Sequence, residues 1–418
     1  MRKTNRRLLA LAAGLAAVGL LAGVAGTSAA YQDVAHARTD SIAAEASAPF
    51  RPGLARNARM VDTGIALGND GRVYVWGWFG GSSEISGSTS PLLGDRAPQA
   101  VPLPDGIKQI SGMIYDANAL AADGTVYGWG AYNSRNGTSA SSSANQPRQI
   151  RIGTAWNGTG PLLTGALTIA STEMAGAAIT NTGEVYKWGS SAYGGSTVSG
   201  AQKLTGLPDP TVAGNRPVYI KGAYTNFFVI LENGDVYAWG GTSSTPTGYS
   251  SGTTAVKLTS LSPWFASTVA TGQPHIVAVD GGISMGGALL SDGTFLSWGG
   301  SATRIGNRSG TPGTPALVTT LSGITSMQFG LTGVVMAKND GSLWGYGASD
   351  DYGQLPQAPT KVDDDVRQFA AGQGYYIWQR GDGTFWGRGY NPQGAIGLPS
   401  VGTTTNRKVS WDLSMIAQ

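Results

Sequence analysis

The residues able to carry out chemistry are few and scattered. The 418-residue chain holds no cysteine and two histidines, His36 and His275. Without a thiol there is no cysteine nucleophile, no disulfide and no cysteine metal site, and two histidines cannot build a histidine-based metal cluster. His36 lies in an Ala/Ser-rich stretch, and His275 follows Pro274 at the head of an apolar run, where a core or strand-edge role is expected. No serine sits in a nucleophile-elbow context. Carboxylates concentrate only at Asp350-Asp351 and Asp363-Asp364-Asp365. A carboxylate pair could serve acid and base chemistry on a glycan. Adjacent loop carboxylates are instead expected to be solvated, with calcium the one ion they could hold. We therefore expect a non-enzymatic protein, with no catalytic, cofactor or metal residue assigned.

Aromatic residues carry more functional signal. Trp78, Phe79, Tyr132, Tyr193, Tyr249, Trp264, Tyr352 and Tyr390 fall in segments that follow a recurring Trp-Gly or its equivalent, many of them rich in Ser, Thr and Gly. Aromatic anchors on loops of a rigid scaffold suit recognition of a protein or a glycan. Recurrence at comparable places in successive units would bring many of them to one face.

The elements that position them are repeated hairpins. ALGNDGRVYVWG at 66–77 recurs as ALAADGTVYGWG at 119–130, AITNTGEVYKWG at 178–189, VILENGDVYAWG at 229–240 and ALLSDGTFLSWG at 288–299. Two looser copies follow at 336–347 and 378–389. Each reads as strand, turn, strand, with the turn glycine at Gly71, Gly124, Gly183, Gly234, Gly293, Gly341 and Gly383. A type I′ turn is expected there, because Gly adopts positive φ freely and Asn or Asp tolerates it. Alternation along the second strand places Tyr74 with Trp76 on one face, a pattern repeated around Trp129, Trp188, Trp239 and Trp298. A buried Trp covers roughly 150–250 Å², so these tryptophans are expected to fill the core between radially stacked sheets. Seven units, with turn glycines 42 to 59 residues apart and no helical periodicity between them, predict an all-β, seven-bladed β-propeller.

The pattern apolar-Leu-x-x-Asp-Gly-x-Val-Tyr-x-Trp-Gly resembles the RCC1 repeat, of the regulator of chromosome condensation family. The segments Tyr352-Gly353-Gln354-Leu355 and Asn391-Pro392-Gln393-Gly394 resemble that family's blade tails, and 107–112, 324–330 and 366–372 resemble its opening strands. The resemblance covers about residues 58–418 and implies the same propeller. Secreted bacterial β-lactamase-inhibitory proteins of this propeller class are similar in setting, which implies an aromatic face that clamps a protein partner.

Residues 1–30 read as a signal peptide: a basic start at Arg2, Lys3, Arg6 and Arg7, an apolar run, and Ser28-Ala29-Ala30 as a cleavage site. Residues 31–57 read as an Ala/Ser-rich disordered linker, and 58–418 as the propeller. Four of the 28 basic residues precede residue 31, which leaves 24 against 25 acidic ones. A near-neutral mature chain offers no footprint for nucleic acid. We expect a secreted monomer without a membrane segment after cleavage, binding a protein partner or else a cell-wall glycan. The segment 407–415 is expected to close the ring by completing a sheet begun at the N-terminus.

Overall fold

The computed structural model describes residues 53–54, 57–60, 63–78, 95–114, 116–130, 146–153, 160–196, 200–348, 355–391, 394–399 and 402–416. The signal-peptide expectation and most of the linker lie outside them. The described residues form seven antiparallel four-stranded blades in chain order. Helical structure among them is confined to short 3-10 turns, the longest being Thr259–Trp264.

Blade 3 serves as the pattern. Its inner strand Ala166–Ser171 pairs with Ala175–Thr180, which pairs with Val185–Gly189, which pairs with the outer Gln202–Lys203. With this order, the turn after the inner strand and the loop after the third strand emerge at one end of the ring. The hairpin turn between second and third strands and the connection to the next blade emerge at the other. We call these ends the loop face and the hairpin face.

The hairpin turns differ from the type I′ expectation. The seven turn glycines all have φ between 80° and 84°, but no Asn or Asp beside them does. Ala121 N–H donates to Thr125 O and Gly124 N–H to Ala121 O, which leaves a longer loop with one left-handed residue at its end. The cause is in the side chains: Asp70, Asp123, Asp292, Asp340 and Asp382 each accept the backbone N–H two residues on, which holds the Asp at negative φ. These hydrogen bonds keep the carboxyl of Asp123 below its ordinary range, the Thr125 N–H being the main cause.

The tryptophans pack as expected: Trp76, Trp129, Trp188, Trp239 and Trp298 are fully buried. The residue directly across from each is small or flat. Gly64, Gly176 and Gly286 lie opposite Trp76, Trp188 and Trp298, and Phe227 stacks on Trp239 at 4.9 Å. Several indoles also bind the preceding blade. Trp239 Nε1 donates to Gly194 O, Trp298 Nε1 to Ser244 O and, across the ring closure, Trp76 Nε1 to Ala395 O.

Inner strands are tied to the next blade near the axis. Gln109 exchanges two hydrogen bonds with Ile169, Tyr219 Oη donates to Val279 O, and Gln368 Oε1 accepts the Leu54 N–H. Lys221 of blade 4 faces Asp280 of blade 5 at 3.7 Å, both buried, and Asp280 also accepts the N–H of Phe329 in blade 6. The inner strands of blades 2 to 7 all carry a bulge after their first residue.

Two expectations about the ends are corrected. Pairing begins at Gly53–Leu54, inside the segment read as linker, and supplies the inner strand of blade 1 against Thr63–Leu67. Leu54 holds the register position of Ile110, Ile169 and Ile220, and is buried like them. The chain then shifts to blade 2, where Asn57–Met60 runs parallel to Ile107–Ile114 as an extra strand inside the ring. The C-terminal segment does not complete blade 1: Gly402–Lys408 is the outer strand of its own blade 7, paired with Phe385–Asn391. Because the N-terminal residues already fill blade 1, no strand is shared across the closure. The tail instead wedges Leu413 and Ile416 into the seam beside Leu54 and Trp76, with Asn69 N–H bound to Met415 O.

Candidate partner-binding face

Carboxylates are unequally divided between the connections of the two ends. Every one of the seven hairpin turns carries at least one: Asp70, Asp123, Glu184, Glu232 with Asp235, Asp292, Asp340 and Asp382. Many are committed to the fold. Besides the turn hydrogen bonds, Glu184 pairs with Lys203 at 2.7 Å, and Asp235 with Lys257 at 2.7 Å. The acidic run is committed too: Asp363 binds Arg380 through two oxygens and takes Trp378 Nε1, while Asp364 pairs with Lys361. Arg380 in turn lies 3.9 Å over the Trp386 ring. Asp350-Asp351 lies outside the described residues.

Among the described residues the loop-face connections carry little charge. Arg59, Asp95, Arg96 and Asp116 lie on strands at this end; outside strands, the described connections carry one carboxylate, Glu173, and two cations, Arg304 and Arg308. Both arginines turn onto backbone: Arg304 donates to Ile283 O, and Arg308 to Ser297 O and Thr314 O. What remains is Ser, Thr, Gly, Asn and Tyr, as in 190–196 (SSAYGGS) and 241–251 (GTSSTPTGYSS). Such loops present adaptable hydroxyls and aromatic surface at low entropic cost.

The aromatic candidates divide. Trp78 ends a blade 1 strand that pairs with Asp95, so it opens the loop-face connection of that blade. Phe79, Tyr132 and Tyr352 lie outside the described residues. Tyr193 and Tyr249 belong to loop-face connections but are half-buried, packed against blade cores. The Tyr249 hydroxyl donates to Gly240 O, and burial pushes its phenol well above the ordinary range. Trp264 lies in the connection between blades 4 and 5, on the hairpin face, half-buried against the core. Tyr390, at the end of a blade 7 strand, is 41% exposed.

His275 sits at the hairpin face, half-buried. Its Nδ1 lies 3.3 Å from both Ser291 Oγ and Gln273 O, while that serine hydroxyl also accepts the His275 N–H. The adjacent Asp292 is bound to Thr294 rather than to the imidazole. A serine nucleophile needs a base oriented by a third group on its other nitrogen, whereas here Ser291 Oγ and Gln273 O share the same Nδ1. Among the described residues no three His, Cys, Asp or Glu side chains come together as metal ligands.

Sequence reading singled out neither Glu173 nor the inner-strand tips around it. Their signal is positional: aligned on the turn glycines, the eighth residue of each opening strand falls on the axis.

No family model matches the chain. Solved structures similar to it confirm the propeller. Prp20p of Saccharomyces cerevisiae, described for its binding to Gsp1p and histones, matches 87% of this chain and 88% of its own at 17% identity, with a TM-score of 0.63. Yeast RCC1 (Prp20) in complex with Kap60 matches 87% and 86% at 17% identity, TM-score 0.62. Human WBSCR16 matches 78% and 86% at 16% identity, TM-score 0.59. At these identities the likeness is one of fold.

Proposed function

We propose that the chain is a non-enzymatic binding scaffold, exported and monomeric, which holds a protein partner against its loop face. The carrying observation is the distribution of charge among the described residues: the hairpin face spends carboxylates on turns and ion pairs, whereas the loop-face connections are rich in uncharged hydroxyl and aromatic side chains. Interfaces that are low in charge, with aromatic anchors at the centre, fit this composition. The similar yeast propeller is described with protein partners, which supports the reading by analogy of fold. An enzyme target such as a secreted β-lactamase belongs to this proposal.

A second reading has its own support. Hydroxyl-rich loops with few charges among the described residues also suit a neutral glycan of the cell wall. A pull-down from culture supernatant and wall fraction separates the two, using the chain from Tyr31 and a Trp78/Phe79/Tyr132/Tyr390 alanine variant. Capture of a discrete protein, lost with the variant, is the expected result. Retention only on insoluble polysaccharide would replace it with the glycan reading. Capture unchanged in the variant would remove the loop face from the proposal.

A further inference from the structure

The loop-face mouth of the ring has an unfilled acceptor at its centre. The residue at the tip of each inner strand is, in blades 2 to 7, Ile114, Glu173, Tyr224, Ile283, Leu331 and Gln373, equivalent by register. Side chains from blades 2, 4, 5 and 6, namely Met113, Ile114, Tyr224, Ile283 and Leu331, form one cluster. Blades 2 and 6 can meet only across the axis, so apolar groups converge at the mouth. Neighbouring tips are also bonded through backbone: Glu173 N–H donates to Tyr224 O at 3.0 Å, and Ile283 N–H to Leu331 O at 2.5 Å.

Glu173 stands in ring order between Ile114 and Tyr224. It is 8% exposed, and its Oε2 is buried without a hydrogen-bond partner among the described residues. Gln373 Oε1, at the same register position in blade 7, is likewise buried and unfilled. Asp116, which starts the second strand of blade 2 beside Ile114, is buried and has an interaction of its own. A buried carboxylate oxygen lacking a donor is destabilising until a donor or cation reaches it. A desolvated charge at the centre of a face, ringed by apolar contacts, is the arrangement that gives binding hot spots their strength.

We propose that this mouth takes a cationic side chain of the protein partner, an arginine guanidinium or a lysine ammonium, on Glu173, with the Gln373 amide oxygen as a further acceptor. The inference rests on the loop face being the binding face and adds the chemistry of its anchor. Charge complementarity selects the occupant: Glu173 is a buried carboxylate with an unfilled oxygen, and the loop-face arginines Arg304 and Arg308 are already bound to carbonyls.

The test uses butylguanidinium as probe, titrated into the whole protein and followed by calorimetry and by amide shifts. Saturable binding is expected for the native protein and for Asp105→Asn, whose carboxylate is exposed on the hairpin face. Glu173→Gln keeps the shape and should weaken binding about tenfold or more, as charge-assisted bonds are lost. Thermal unfolding of that variant should match or exceed the native protein, which shows that the loss is not unfolding. Equal binding by Glu173→Gln, or no saturable binding by the native protein, would overturn the anchor. Partner capture then tells the two levels apart. Full capture by Glu173→Gln refutes the anchor and leaves the face standing, whereas full capture by the four-aromatic variant refutes the face.

Discussion

At the scale of single residues, the fold stores its sensitivity in close contacts and one buried charge. Lys187 lies between blades 3 and 4, almost fully buried, with its Nζ on Thr253 O and no carboxylate beside it. Burial pushes its amine down to about 8 from the usual 10.5. Between those two values the unfolded chain holds the extra proton, so stability should rise as pH increases from 8 to 10.5. Below pH 8 the buried charge is present in full and its cost with it. Lys187→Met should therefore raise the melting temperature at pH 7, by up to about 2–3 kcal/mol of stability, and flatten the alkaline rise. A second contact is tighter still. A Cβ at Gly64 would lie 2.0 Å from the Trp76 indole. Gly64→Ala should cost about 1–3 kcal/mol by overpacking, read by denaturant unfolding, and should loosen the Trp76 bond to Ala395 at the ring closure. Sequence alone did not mark glycine at 64, 176 and 286; that each makes room for one indole required the register.

At the scale of elements, the hairpins were legible because their turn glycines and Trp-Gly ends recur, and period-two alternation exposed the buried face. The turn class was not. Asp-Gly suits the expected type I′ turn and the observed longer loop alike, and only the hydrogen bond that the N–H two residues on donates to the Asp carboxylate decides that a single residue takes positive φ. This separates two otherwise equal substitutions. Gly124 and Gly383 have φ of 84° and 83°, but a Cβ at Gly124 would meet the Gly165 backbone at 2.9 Å, whereas nothing lies within 4 Å at Gly383. Gly383→Ala should cost only the left-handed conformation, about 1–2 kcal/mol. Gly124→Ala should cost measurably more in the same unfolding assay; equal losses would show that the blade 2 to blade 3 connection yields freely. The inner strand of blade 1 was missed for a plain reason. Gly53–Leu54 is too short for any periodicity, and its partner for the following residues is a different blade.

At the scale of the whole molecule, the ring is closed by contacts and not by a shared sheet. Tyr375 Oη donates to Thr63 O, Gln368 bridges Leu54 N–H and Ile416 O, and Leu413 and Ile416 bury apolar surface in the same seam. Each of those two side chains is worth about 1.5–3 kcal/mol when buried. Removing residues 409–418 should therefore lower the melting temperature, and in hydrogen exchange should expose Thr63–Leu67 and Val366–Ala371 while blades 3 to 5 stay protected. Uniform loss of protection would mean that the ring unfolds as one unit. The candidate binding face was only half legible. Sequence placed aromatics in the loops, but their depth depends on packing, and Tyr193 and Tyr249 turn out half-buried. Glu173 was invisible because nothing local marks it; its meaning comes from five other strands ending at the same place.

The strand Asn57–Met60 has a mechanical meaning. The chain enters blade 1 at Gly53, on the hairpin face, and runs along the axis to Met60 beside Ile114 at the loop face. Tension applied from the N-terminal side would run parallel to this strand, so its hydrogen bonds with Ile107–Ile114 are loaded together in shear and do not open one at a time. The pull would also enter near the axis, on the face opposite the proposed binding face. A propeller loaded this way would bear tension along its axis, with the opposite face held square to the pull.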